Sequence, residues 1–165
     1  MATKKGIALT ATILIGITAA SFLVWLIPQD SEIKFAISDY GNYIDEIIER
    51  QEIVATGIET QFQSMLDGSI SPEEYATAAE LSSSQINNLA IELVQSDASQ
   101  EWQQSYVRYI ESLTKYNDYL RETIVIANMI ENVELESKIQ EGVEALVHLK
   151  DEWRSFSLRS AETRP

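Results

Sequence analysis

Cysteine is absent from this chain of 165 residues. No disulfide can brace it, so packing alone must hold its fold. The same absence excludes thiolate-bound zinc or copper, iron–sulfur clusters and thiol redox chemistry. Histidine occurs once, at His148, which leaves no His–His metal pair. No Asn-x-Ser/Thr sequon and no glycine-rich phosphate loop occur, so neither an N-glycan nor a nucleotide cradle is expected. Basic residues are scarce, with 12 Lys and Arg against 26 Asp and Glu and a net charge of −14. Only Lys4 and Lys5 precede Gln29, while every acid follows it. The chain beyond Gln29 thus sets ten bases against 26 acids, a net of −16. Such a surface repels nucleic acid and anionic lipid headgroups, and it keeps an exported domain in solution.

Against these absences stands one long apolar run, GIALTATILIGITAASFLVWLI, from Gly6 to Ile27 and closed by Pro28. It carries no charge, and as a helix it would span roughly 33 Å, enough for a hydrocarbon core of about 30 Å. Residues 6–28 are therefore expected to form a transmembrane signal-anchor helix. Lys4 and Lys5 precede it and Asp30 and Glu32 follow it, which places residues 1–5 in the cytoplasm and the acidic remainder outside the cell. Trp25 suits the outer interface. A cleaved signal peptide ending near Thr18-Ala19-Ala20 is the competing reading, but Phe22 to Ile27 continue the apolar run past that point. Ala8, Thr12, Gly16 and Ala20 recur every fourth residue and form a small-residue face on which another membrane helix can pack.

The acidic remainder is patterned for helices. Ile33, Ile37, Tyr40, Ile44, Ile47, Val54, Ile58, Phe62 and Met65 step by three and four, with only Gln51 interrupting the register. The spacing predicts one helix over about residues 31–66, ended by Asp67-Gly68. Ser71-Pro72-Glu73-Glu74 is a capping box that opens a second helix, residues 72–95. Asp97 and Gln100 offer a cap for a third, residues 98–130, which carries the aromatic stripe Trp102, Tyr106, Tyr109 and Tyr116. A ligand-binding cage and a bundle core both fit such a stripe, and its regular spacing favours the core. The phase slips near residues 130–134, where Asn132 can cap a fourth helix, residues 133–158, and the tail 159–165 is expected to fray. The fold expected is all-α: one transmembrane helix, then an up-down-up-down four-helix bundle of long, heptad-patterned, coiled-coil-like helices over residues 31–158. The first and third helices read as half again longer than the others. Ile33, Phe35, Ile37, Tyr40 and Tyr43 would then stand uncovered as a stalk that docks on a partner, or the fourth helix descends far enough to cover them.

Little in the sequence suggests chemistry. Glu144, His148 and Glu152 share one helix face at four-residue spacing, a weak candidate for a divalent ion. The Glu-x-x-His signature of di-iron bundles would need an acid where Ala145 stands. Paired acids such as Glu73-Glu74 are explained by helix-start electrostatics. No enzyme activity and no cofactor are expected.

The stretch ITAASFLVWLIPQ, residues 17–29, resembles the N-terminal anchors of small membrane-anchored proteins of ammonia-oxidising archaea. The resemblance implies an archaeal cell membrane, with the domain facing the space beneath the surface layer. It covers the anchor alone and carries no site. The sequence is read as a non-enzymatic extracytoplasmic binding or scaffold protein, an accessory subunit or interaction partner of a membrane protein complex. Its expected partners are membrane lipid through the anchor, and another membrane protein or a second copy of itself. The alternative is a small-ligand sensor or solute-binding bundle; with only five cytoplasmic residues, either would act through a partner.

Overall fold

The protein is seen in a computed structural model that describes residue 37 and residues 39–133 and 135–165. These fall within one unit spanning 35–165. Asp39 decides where its first helix begins. It is extended, with φ −144° and ψ 97°, and its Oδ1 accepts the Asn42 backbone N–H at 3.0 Å. That is an N-cap, and it opens α1, Tyr40–Leu66. The single helix expected from residue 31 is therefore corrected, because apolar spacing runs through an extended residue without registering the break. At the other end Gly68 takes φ +78°, a left-handed turn that a side chain would strain. Ser71 then accepts the Glu74 N–H at 3.1 Å and starts α2, Pro72–Gln95, as the capping box requires.

The third helix, α3, is Gln103–Glu131. It begins later than expected because Asp97 turns left-handed (φ 49°) and the Trp102 N–H bonds Ser99 in a turn at 2.8 Å. Asp97 does not cap it; Trp102 holds the cap position without a side-chain bond. The Trp102 indole lies over Gly41, where a methyl group would come within 3.2 Å of the ring. Asn132 ends α3, with its side-chain amide donating to the Asn128 carbonyl at 2.8 Å, and Val133 turns the chain at φ 55°. The turn lies where the phase slips, but Asn132 closes one helix and does not start the next. The fourth helix, α4, is Glu136–Glu162 and passes the expected end at residue 158. The tail does not fray. Ser160 is buried, and it exchanges hydroxyl-to-carbonyl bonds with Ser105 at 2.9 and 2.8 Å.

The helices are 27, 24, 29 and 27 residues long, so α4 matches α1 and the expected length mismatch is absent. Consecutive helices run antiparallel, as the pairs Phe62–Tyr75, Tyr75–Thr123 and Ser105–Ser160 show. No strand occurs among the described residues. The shared core is built from α1, α2 and α3, with Ile44, Ile47, Ile86, Tyr109 and Leu120 all fully buried. The aromatic stripe of α3 is core: Tyr106, Tyr109 and Tyr116 are at most 2% exposed. α3 touches each of the other three helices, whereas no Cα of α1 comes within 8 Å of α4. Closed four-helix bundles pair the first helix with the last; here that seam is open.

Among the described residues no helix is long and apolar enough to cross a membrane. The span expected at 6–28 lies outside them.

Candidate functional site

The open seam forms a groove of about 380 Å³. On α1, Gln51, Ala55 and Glu59 follow at four-residue spacing and line one wall, with Glu52 and Thr56 beside them. The other wall is Lys150, Trp153 and Arg154 of α4, and α3 supplies Tyr116 and Tyr119 between them. The rings form one aromatic cluster. Tyr116 stacks on Tyr119 at 5.7 Å and takes the Trp153 ring edge-on at 5.3 Å. The Arg154 guanidinium lies 5.6 Å over the Trp153 ring.

Two ion pairs tie α1 to the C-terminal part of the chain across the seam. Lys150 Nζ meets Glu59 Oε2 at 3.4 Å, and Arg164 Nη2 meets Asp45 Oδ1 at 2.8 Å. Asp45 and Glu59 are about 21 Å apart along α1, so the groove lies between two ionic clasps. The Tyr119 hydroxyl also donates to Glu59, at 2.8 Å. Burial pushes the Tyr119 phenol up in pKa, and its bond to Glu59 adds to the rise. Burial likewise raises Tyr116. Two acids and two bases line the groove, Glu52 and Glu59 with Lys150 and Arg154. It is therefore locally neutral in a chain of net charge −14.

The polar atoms are unevenly satisfied. The Tyr109 hydroxyl donates to Gln51 Oε1 at 3.0 Å, but Gln51 Nε2 has no partner although the residue is only 3% exposed. Trp153 Nε1 is also buried without a partner. An unpaired buried donor costs about 1–3 kcal/mol, and two such donors on one groove are a substantial outlay. The phenols beside them are held protonated far above neutral pH and cannot serve as bases. The arrangement can hold an acceptor.

A second groove of about 310 Å³ lies between α1 and α2, beside Ile53, Gln85 and Asn88. A two-pronged Arg50–Glu92 bond at 2.6 and 2.9 Å spans it. That bond holds the Glu92 carboxyl below its usual pKa, and no unpaired buried atom of the described residues lines this groove.

The sequence candidates fall elsewhere. His148 is 78% exposed and lies 3.8 Å from Glu152, whose other oxygen pairs with Lys115 at 3.1 Å. Glu144 instead accepts from Gln140 at 3.0 Å. Among the described residues no three of His, Asp and Glu stand together as a metal site, so the structure does not assemble Glu144, His148 and Glu152. Tyr40 and Tyr43 are half-buried against the core, and the Tyr40 carbonyl accepts the Tyr106 hydroxyl at 2.9 Å. Those two tyrosines are packed in the bundle and do not stand in a bare stalk. Ile37 is also only half-exposed, while Ile33 and Phe35 lie outside the described residues. The packing face Ala8, Thr12, Gly16 and Ala20 lies outside them too.

Sequence reasoning missed the groove, though one signal pointed to it. Gln51 is the lone polar residue in the inward register of α1, where an amide must find partners or go unpaired. Trp153 gave no such signal, since an indole at a core position reads as packing. No protein-family model matches the chain, and no curated protein or solved structure matches it.

Proposed function

We propose that this chain is a non-enzymatic binding protein: a helical bundle, held outside an archaeal cell membrane by residues 6–28, that takes a small ligand in the α1–α4 groove. The observation that carries this reading is Gln51, a 97%-buried amide whose Nε2 has no acceptor and which lines an open groove. Natural interiors rarely keep such a donor, and sites that bind by hydrogen bonding do. Occupancy of the groove is passed on through a partner in the membrane. The Ala8, Thr12, Gly16 and Ala20 face is the surface proposed to hold that partner, which makes the chain an accessory subunit of a membrane complex.

The test is a metabolite screen by thermal shift on the full chain in lipid nanodiscs, run beside Ala55→Phe, which fills the groove. Stabilisation by a solute that Ala55→Phe abolishes is the expected result. A screen without any stabilising solute, or stabilisation indifferent to Ala55→Phe, overturns the reading. Crosslinking in intact membranes tests the partnership separately: one abundant partner is expected, and Gly16→Leu should release it.

A further inference from the structure

The buried side-chain atoms of the α1–α4 groove that lack a partner are of one kind. Gln51 Nε2 and Trp153 Nε1 are N–H donors with no acceptor, and the Arg154 guanidinium at the rim supplies further donors. Of the inward acceptors, Glu59 is engaged through Oε2 and Gln51 through Oε1. Glu59 holds the Tyr119 hydroxyl and Lys150, and Gln51 Oε1 holds the Tyr109 hydroxyl. Glu52 stands exposed on the outer rim, solvated. A partner that satisfies those two buried donors must bring acceptors.

We infer that the groove binds a small organic carboxylate, its carboxylate on the N–H groups of Gln51 and Trp153, with Arg154 balancing its charge. This rests on the small-ligand reading above and names the chemical class of the ligand. A charged acceptor is preferred over a carbonyl because bonds from N–H groups to an ionised oxygen are about twice as strong as neutral ones. Elsewhere on this acidic surface an anion is repelled; Lys150 and Arg154 bring the groove to neutrality. A volume of about 380 Å³ lies in the lower part of the range for small-molecule sites, about 300–1,000 Å³, and suits one or two rings. Both N–H groups are closed off from water, so the ligand reaches them by parting α1 from α4. No backbone approach holds those helices together, and the Lys150–Glu59 pair is the clasp that must yield.

The experiment uses the full chain in nanodiscs with benzoate and naphthoate as probes, and benzamide and benzylamine as neutral and cationic counterparts. The Trp153 indole N–H resonance, assigned by its loss in Trp153→Phe, is followed with the thermal midpoint. The two carboxylates should shift that resonance saturably and raise the midpoint, while benzamide and benzylamine do so at least tenfold more weakly. Gln51→Met and Trp153→Phe keep the packing, and each should weaken carboxylate binding about tenfold with helical circular dichroism retained. Equal binding of benzamide or benzylamine overturns the carboxylate assignment and leaves the groove a ligand site. Carboxylate binding that Gln51→Met and Trp153→Phe leave unchanged overturns the placement. If no probe shifts the indole resonance the carboxylate assignment falls, and the metabolite screen against Ala55→Phe then decides the fate of the site itself.

Discussion

A glycine on an open helix face and a glycine in a left-handed turn answer a methyl group in opposite ways. Gly57 lies within α1 with nothing within 4 Å of where a Cβ would stand. Gly57→Ala should therefore raise stability by about 0.5–1 kcal/mol, by removing backbone freedom from the unfolded chain. Gly68, at φ +78°, should lose about 1–2 kcal/mol on the same exchange. Urea midpoints for the two variants check both signs; shifts in the same direction would refute the assignment of Gly68. These local features were legible: Gly68 and Ser71 declare themselves through their immediate neighbours. The buried bond from the Tyr75 hydroxyl to Thr123 Oγ1 at 2.6 Å was not, because 48 residues separate its ends. Gln51 falls between the two cases. Its place in the apolar register is visible in the sequence, but its unpaired amide depends on what α3 and α4 bring to it.

At the scale of elements the fourth helix departs most from expectation. Its burial is thin, with only Leu146 and Ser160 buried, whereas α3 is buried along most of its length. Local stability follows buried contact, so amide exchange should be faster along α4 than along α3 in native-state hydrogen exchange. Equal protection would show that α4 is held by something the packing does not reveal. The end of α4 is its strongest hold. Deleting residues 159–165 removes the Ser105–Ser160 bonds and the Arg164–Asp45 pair, and should cost about 1–3 kcal/mol in a thermal or urea melt. A frayed tail would cost nothing. The sequence could not reveal this hold, since Ser-Leu-Arg-Ser reads as a solvated end until Ser105 is placed opposite it.

For the whole molecule the buried tyrosines set an upper pH limit. A tyrosine in the unfolded chain titrates near 10.0, while burial pushes Tyr75 up to about 12. Tyr106, Tyr109, Tyr116 and Tyr119 are raised as well, each first by burial. Above pH 10 the unfolded chain gives up these protons and the folded one keeps them. Stability is therefore unaffected by these groups below about pH 10, and falls as pH rises through 10 toward 12 and beyond. Alkaline titration should show tyrosinate absorbance from the buried rings rising together with the loss of helical circular dichroism. Ionisation of those rings well before unfolding would contradict the packed core. The same core explains why the groove is built as it is: α3 spends its surface on three neighbours, and α1 and α4 are left facing each other across it.

The sequence by itself determined the all-helical class, the helix starts at Ser71, the stop at Gly68 and the turn after α3, because those depend on spacing and on residues a few positions apart. The tertiary structure decided that the seam between α1 and α4 stays open and that Gln51 and Trp153, which line it, keep buried donors without partners. It also decided that the C-terminal turn is locked and that Glu144, His148 and Glu152 do not assemble. The physical reason is that helix periodicity fixes which face of a segment is apolar, whereas a groove, a clasp or a metal site depends on which faces meet, and residues some 50 to 120 positions apart settle that.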